Sequence, residues 1–96
     1  MLDQKKIEQI ATEVASANLT PQFVRWVTSS PGTDSEGEDV LRIMIVLEPS
    51  AVAQVQGDAV VDTLVQLQDR LRREGEERLP IVEYATEEEL ASSGDS

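Results

Sequence analysis

A chain of 96 residues has room for one small hydrophobic core, and its formal charge of −11 opposes approach to nucleic-acid phosphates and to anionic membrane surfaces. Cysteine and histidine are both absent. Thiol nucleophiles, disulfides, thiolate zinc sites, histidine bases and Ser-His-Asp triads are therefore excluded for this chain. Basic protein surfaces and cations are the partners that electrostatics favours.

The first predicted element is an amphipathic helix. Asp3 is placed to act as its N-cap, and apolar residues follow at the spacing of one buried helix face: Ile7, Ile10, Ala11 and Val14. Asn18 and Pro21 predict where this helix ends. This start differs from the continuous apolar stretch of a signal peptide, and no apolar run approaches the roughly 20 residues that span a bilayer. We therefore expect a cytoplasmic protein without a membrane segment.

Two strands of different character are predicted next. Residues 23–28 are rich in aromatic and β-branched side chains, and Arg25 indicates a partly exposed face. Residues 29–39 offer little to bury, which predicts a turn or a mobile loop. Residues 40–47 are apolar at every position except Arg42, a pattern typical of a strand buried on both faces in the middle of a sheet.

A second amphipathic helix follows, after a lead-in turn or short helix over residues 50–57. Asp58 is placed to cap its start, and Gly75 predicts a left-handed C-terminal cap. The apolar stripe that we expect to face the core is widened by two further valines, and its residues are Val60, Leu64, Leu67 and Leu71 with Val61 and Val65.

The last predicted strand covers residues 81–84 and is opened by Pro80, which is tolerated at the first position of a strand or on an edge. Thr86 and Glu89 have the spacing of a capping box and predict one terminal helical turn. We expect residues 1–90 to form a single domain and residues 91–96 to form a disordered tail.

The element order is helix-strand-strand-helix-strand, which predicts an α/β (α+β) fold with a small mixed three-stranded sheet and helices packed on it. The first two strands can pair antiparallel, whereas the long helical crossover favours parallel pairing of the second and third. One face and the edges of such a sheet stay uncovered, which makes homo-oligomerisation a natural expectation.

This order resembles the minimal nucleotidyltransferases, in which a Gly-Ser turn follows the first strand and an Asp-x-Asp motif lies on the second. The present chain has Thr28-Ser29-Ser30 at the first position and Glu38-Asp39-Val40-Leu41 at the second. The resemblance implies a metal-dependent site made of Ser30, Asp39 and Glu83. The family's glycine is missing, and Leu41 stands where its second carboxylate belongs.

The acidic loop raises a separate metal hypothesis, because four hard oxygen donors lie close together: Asp34, Glu36, Glu38 and Asp39. An EF-hand needs glycine at the sixth loop position and glutamate at the twelfth, and counting from Asp34 places Gly37 fourth and Ile45 twelfth. The spacing therefore favours a solvated loop without a bound metal.

The basic residues form one cluster, interleaved with glutamates, and its members are Arg70, Arg72, Arg73 and Arg78. Pairing within the helix and complementation of its dipole explain these charges without a nucleic-acid partner. Trp26 is interpreted as a core residue, with surface exposure as the alternative because it lies beside Arg25 near a loop.

Two functional hypotheses follow. The first is a non-enzymatic acidic interaction module, such as a regulatory or antitoxin-like subunit, that binds a basic protein surface or forms a homo-oligomer. The alternative is a metal-dependent nucleotidyltransferase-like enzyme. No glycine-rich phosphate loop joins a strand to a helix, so we expect no organic cofactor.

Overall fold

The computed structural model describes residues 2–55 and 57–94 of the chain. The predicted order helix-strand-strand-helix-strand is confirmed, and one further helix follows the last strand. The elements are α1 (Gln4–Asn18), β1 (Val24–Thr33), β2 (Asp39–Leu47), α2 (Gly57–Arg73), β3 (Leu79–Thr86) and α3 (Glu87–Gly94).

The three strands form one sheet in the order β1-β2-β3. β1 and β2 pair antiparallel, and β2 and β3 pair parallel, as the lengths of the connections predict. α1 packs on β1, α2 packs on β3, and both helices cover the same face of the sheet. The buried core lies between this inner face and the two helices.

α1 forms as its sequence predicts. The Asp3 carboxylate accepts a hydrogen bond from the Lys6 backbone N–H at 2.8 Å, which satisfies one of the free donors at the helix start. Ile7, Ile10 and Val14 are all buried, together with Ala11 and Ala15 one turn around the same face.

β1 is longer than its composition indicates, and the predicted loop over residues 29–39 is correspondingly too long. Residues 29–33 belong to β1 and pair with β2 down to Asp39, so only residues 34–38 form the turn. Backbone pairing needs no apolar side chains, and an edge strand tolerates Pro31. The strand begins at Val24, because Phe23 closes a short 3-10 turn, Pro21–Phe23.

β2 is the central strand, as predicted. Its inner-face residues are fully buried in the core: Leu41, Ile43, Ile45 and Leu47. On the opposite face Val40 and Val46 are also buried, whereas Arg42 is exposed. The strand is therefore buried on both faces except near its polar position.

The predicted buried face of α2 is wrong for two of its valines. Leu67 and Leu71 are buried as expected, but Val61 and Val65 are 58% and 56% exposed, and Thr63 is buried in their place. α2 begins at Gly57, so Asp58 lies in its first turn instead of capping it, after a 3-10 lead-in, Pro49–Gln54.

The end of α2 confirms the glycine cap. Gly75 has a φ of +94°, and its N–H bonds the Arg72 carbonyl at 3.0 Å. The next N–H, of Glu76, bonds the Leu71 carbonyl at 2.8 Å. These two bonds define a Schellman motif, which satisfies carbonyls that the helix itself leaves free.

β3 extends beyond the predicted residues at both ends, and Pro80 is its second residue, on an edge strand. The Thr86 hydroxyl accepts a bond from the Glu89 N–H at 3.0 Å, so Thr86 is the N-cap of α3 as predicted. The backbone of α3 stays helical to Gly94, which is four residues into the predicted tail over residues 91–96. Residues 95 and 96 lie outside the described residues. Among the helices of the described chain, none has the length and apolar character that crossing a membrane requires.

Candidate functional site

The three residues implied by the nucleotidyltransferase resemblance lie in two different places. Ser30 pairs with Arg42 on the outer face of the sheet, the face that α1 and α2 do not cover. The Glu83 carboxylate lies on the same face and accepts a bond from Arg42 at 3.3 Å. Both Ser30 and Glu83 border one shallow cavity of about 300 Å³.

Asp39 is separated from that pair by the sheet itself. Side chains alternate along a strand, and Asp39 has the inner-face parity of Leu41, whereas Glu83 lies opposite Met44 on the outer face. Asp39 precedes Met44 by five positions along β2, or roughly 17 Å at 3.3 to 3.4 Å per residue. The structure therefore does not gather Ser30, Asp39 and Glu83 around one point, as shared metal ligation requires.

The acidic turn is organised by its own backbone. The Asp34 carboxylate accepts bonds from the N–H groups of Glu36 and Glu38, both at 2.9 Å, and Gly37 takes a φ of +83° to close the turn. Across the described residues, no three carboxylates lie close enough together to hold a metal ion. Asp34 thus acts as a turn residue, with Glu36, Glu38 and Asp39 directed to solvent.

Trp26 takes the surface position and not the core position that its aromatic character favours. The side chain is 45% exposed on the outer face, where Trp26 pairs with Val46. A β-bulge between Val24 and Trp26 resets the alternation of β1 just before the tryptophan. Together with Met44 and Leu90, Trp26 lines the shallow outer-face cavity beside α3.

A second and larger cavity lies at the other end of the sheet, where the β1–β2 turn meets the turn between α2 and β3. It has a volume of about 520 Å³ and is open to solvent. We call it the acidic cavity, and its lining residues are Glu38, Asp39, Gly75, Glu76, Glu77 and Arg78. Four carboxylates and one guanidinium leave this lining with a formal charge of −3.

Glu76 and Arg78 form the buried floor of the acidic cavity. Glu76 is only 3% exposed, and its carboxylate accepts bonds from the Arg78 guanidinium at 2.9 and 3.0 Å. The backbone N–H groups of Arg78 and Leu2 add bonds at 3.0 and 2.9 Å. The Arg78 bonds are the main reason that the pKa of Glu76 falls to about 2, since burial alone would raise it.

Sequence reasoning missed this pair, although a signal was present. Glu76 directly follows Gly75, at the position of a Schellman motif that commonly packs back against the last turn of its helix. A carboxylate at that position is buried and needs a cation. The sequence pattern groups Arg78, two residues on, with the arginines that pair within α2 and complement its dipole, whereas Arg78 lies beyond the end of α2, is only 14% exposed and pairs with Glu76.

The rim of the acidic cavity differs from its floor, because the rim carboxylates form no ion pairs within the described residues. Glu38, Asp39 and Glu77 are exposed, and in the part of the chain that the structure describes none of the three forms an ion pair. Asp39 lies near enough to Arg78 to raise the pKa of that guanidinium, but Glu76 has the larger effect. The rim thus offers carboxylate oxygens as hydrogen-bond acceptors to an incoming cation.

The remaining basic residues are mostly engaged elsewhere. Arg70 pairs with Glu13 of α1 at 2.8 Å, and Arg73 pairs with Asp69 one turn earlier in α2 at 3.0 Å. Arg72 is exposed and belongs to none of the ion pairs of the described residues.

Comparison with protein-family models, with curated proteins and with solved structures found no significant match to this chain. The functional conclusion therefore depends on the geometry of the molecule.

Proposed function

We propose that the protein is a non-enzymatic interaction module, of the regulatory or antitoxin-like kind, that binds a basic segment of a partner protein at the acidic cavity. The observation that supports this is the rim itself. Glu38, Asp39 and Glu77 come from two segments that are distant in the chain, the β1–β2 turn with the start of β2 and the α2–β3 turn. They border one open cavity, and within the described residues none of the three forms an ion pair.

The chemistry of the rim favours arginine or lysine side chains as the bound groups. A guanidinium donates paired hydrogen bonds to carboxylates, and such charge-assisted bonds are shorter and stronger than neutral ones. The buried Glu76–Arg78 pair holds the α2–β3 turn in place, so the rim needs little rearrangement before binding. The net charge of −11 adds long-range attraction for a basic partner. A cytoplasmic location is part of the proposal, and the absence of cysteine is compatible with it.

Titration with a labelled oligo-arginine peptide, followed by fluorescence anisotropy, tests the proposal. The site variant carries Glu38→Gln and Glu77→Gln, which remove two rim charges. We expect it to bind about tenfold more weakly, equivalent to about 1.4 kcal/mol. A matched control carries Asp62→Asn and Glu88→Gln, two exposed positions away from the cavity, and changes the net charge equally.

The control separates a site from a general attraction between opposite charges. Weakening confined to the Glu38/Glu77 variant supports the acidic cavity. Equal weakening in both variants would show that the peptide responds only to net charge, and the proposal would be wrong. The nucleotidyltransferase-like activity stays a prediction of the sequence, and no contact in the described residues favours it.

A further inference from the structure

The two edges of the sheet differ in how they are protected. On β1 the bulge between Val24 and Trp26 and the proline at position 31 both interrupt a regular edge. In addition, the Glu8 carboxylate of α1 accepts a bond from the Ser29 N–H at 2.8 Å. These features oppose the addition of another strand at β1.

The free edge of β3 lacks comparable protection after Pro80. In the described residues, no side chain bonds to the backbone groups of residues 81–85, and the strand has no bulge against β2. Glu83, the charged residue in this stretch, is paired with Arg42. An unprotected edge of this kind is a site for pairing with another strand.

The helix above this edge exposes a matching surface. We call it the α2 stripe, and its residues follow the alternating three- and four-residue spacing of one helix face: Asp58, Val61, Val65, Gln68 and Arg72. The opposite flank of α2 contacts α1, through Gln66 to Asn18 and Arg70 to Glu13. The stripe therefore faces away from α1, on the side of the β3 edge.

The α2 stripe is complementary to itself when a second copy is antiparallel. Its centre is Val65, and its ends carry opposite charges, Asp58 at one end and Arg72 at the other. A two-fold axis at Val65 places the two Val65 side chains together. The same axis places each Arg72 opposite the Asp58 of the other copy, seven residues away on each side of Val65. In a chain of net charge −11, this arrangement avoids carboxylates facing each other along the stripe.

The same two-fold axis can relate both the α2 helices and the β3 strands of the two copies. α2 has 17 residues and β3 has 8, so both are roughly 25 Å long at 1.5 and 3.3 Å per residue. α2 runs antiparallel to β3, because it returns the chain between two parallel strands. The middle of α2, at Val65, therefore lies beside the middle of β3, near Val82. Antiparallel pairing of two β3 strands about Val82 also keeps Glu83 from facing its own copy.

We propose that the β3 edge and the α2 stripe together form the interface of a two-fold symmetric homodimer. The dimer has a continuous six-stranded sheet, with the two α2 helices side by side and antiparallel on its inner face. The occupant is a second copy because this surface is its own charge complement. Leu79, which is 51% exposed at the start of β3, and the exposed Val61 become covered in the same contact.

The absence of cysteine allows a direct test of the axis. A single Val65→Cys variant can form only an intermolecular disulfide, and the two copies of residue 65 meet only if the axis passes there. Under mild oxidation we expect a covalent dimer of twice the 10.6 kDa chain mass. Asp62→Cys is the matched control, because it is exposed on the same helix but outside the α2 stripe, and it should stay largely monomeric in a denaturing gel.

Sedimentation equilibrium tests the same interface without a crosslink. At about 100 µM the unmodified chain should be mostly dimeric, as expected for a micromolar Kd. Asp58→Arg and Arg72→Asp should each weaken the dimer about tenfold, since each places like charges opposite one another. The double variant exchanges the two charges and should recover most of the affinity, which a merely structural effect of either change would not do.

Three results would overturn the proposal: a monomer at about 100 µM, a dimer in which position 65 crosslinks no better than position 62, or a double variant no tighter than the single ones. Because Asp58, Val65 and Arg72 are exposed, none of these changes touches the core. Circular dichroism of each variant confirms that the fold is kept.

Discussion

The carboxylate of Glu76 is buried in a protein that already carries a large excess of negative charge. Donors on two sides keep it ionised, namely the Arg78 guanidinium with its own backbone N–H, and the N–H of Leu2. Arg78 also donates to the Leu2 carbonyl at 3.4 Å. These hydrogen bonds therefore join the segment before α1 to the turn that borders the acidic cavity. The positions of the segment and of the turn both depend on the Glu76–Arg78 ion pair.

The pH dependence of stability tests this residue. The ordinary pKa of a glutamate is 4.5, and in the folded protein that of Glu76 is about 2. Folding thus favours the ionised form, and the resulting stabilisation is fully present above about pH 5 and is lost as the pH falls from 4.5 towards 2. The difference between the two pKa values corresponds to about 3 kcal/mol.

Glu76→Gln is the variant for this measurement. At neutral pH it should lower the free energy of unfolding by about 3 kcal/mol, and the deficit should shrink to about 1 kcal/mol near pH 3. Chemical denaturation at several pH values measures both quantities. Glu77→Gln, the exposed neighbour, should stay within about 0.5 kcal/mol of the native chain. A Glu76→Gln deficit that does not change with pH would contradict the assignment.

The termini of the elements show how a local signal and a tertiary contact combine. The Schellman motif at the end of α2 depends on Gly75, whose φ of +94° is unfavourable for other residues. The same motif delivers Glu76 to the core side of the turn and so prepares the floor of the acidic cavity. The conformation of one glycine thereby positions the candidate site.

Gly57, at the start of α2, and Gly75, in its C-terminal cap, allow a matched comparison of the effect of backbone conformation on stability. Gly75→Ala should destabilise the protein by about 1 kcal/mol, because a β-carbon is strained at positive φ although the space around it is open. Gly57→Ala, at the other end of the helix, also meets open space but lacks the positive φ. It should be neutral or stabilising by up to about 1 kcal/mol. Equal effects in thermal unfolding would argue against a backbone cause.

Three surfaces of the molecule lie in different places: the acidic cavity, the outer face of the sheet and the α2 stripe. The acidic cavity lies at the end of the sheet where β2 and β3 begin, the outer face carries Trp26 above the Arg42–Glu83 pair, and the α2 stripe flanks the β3 edge. The acidic cavity and the α2 stripe share no residue, so the proposed basic partner and the proposed second copy do not compete for the same side chains. A dimer would present two acidic cavities, which strengthens binding to a partner with repeated basic segments.

Ligand-dependent thermal unfolding separates this picture from the enzyme hypothesis. A ligand that binds only the folded state raises the unfolding midpoint, by an amount that grows with the logarithm of its concentration relative to its Kd. Because Asp39 and Glu83 lie on opposite faces of the sheet, we expect magnesium, calcium and a nucleoside triphosphate to give no more shift than sodium chloride of equal ionic strength. A concentration-dependent rise beyond that control, abolished by Asp39→Asn, would restore the nucleotidyltransferase-like reading.

The sequence by itself determined the elements whose signals are local. The Asp3 cap, the apolar spacing of α1, the continuous apolar run of β2 and the glycine that ends α2 each depend on residues within one or two turns of one another. Connection length then fixed which strands pair antiparallel and which parallel. These features predict the fold, because periodicity and turn chemistry act through neighbours along the chain.

Only the tertiary structure decided which side of each element is covered. Trp26 and Val65 are apolar residues that the sequence pattern places in the core, yet they are 45% and 56% exposed. Trp26 lies on the outer face, where it borders an open cavity with Leu90 of α3, and Val65 lies on the side of α2 that is turned away from the buried residues Thr63 and Leu67. Conversely, Glu76 is buried because a cation two residues away and a backbone N–H from a distant segment reach it. The acidic cavity has the same origin, since it joins two turns that are neighbours only across the sheet. Burial and the convergence of charges depend on contacts distant in sequence, and a pattern read along the chain does not contain them.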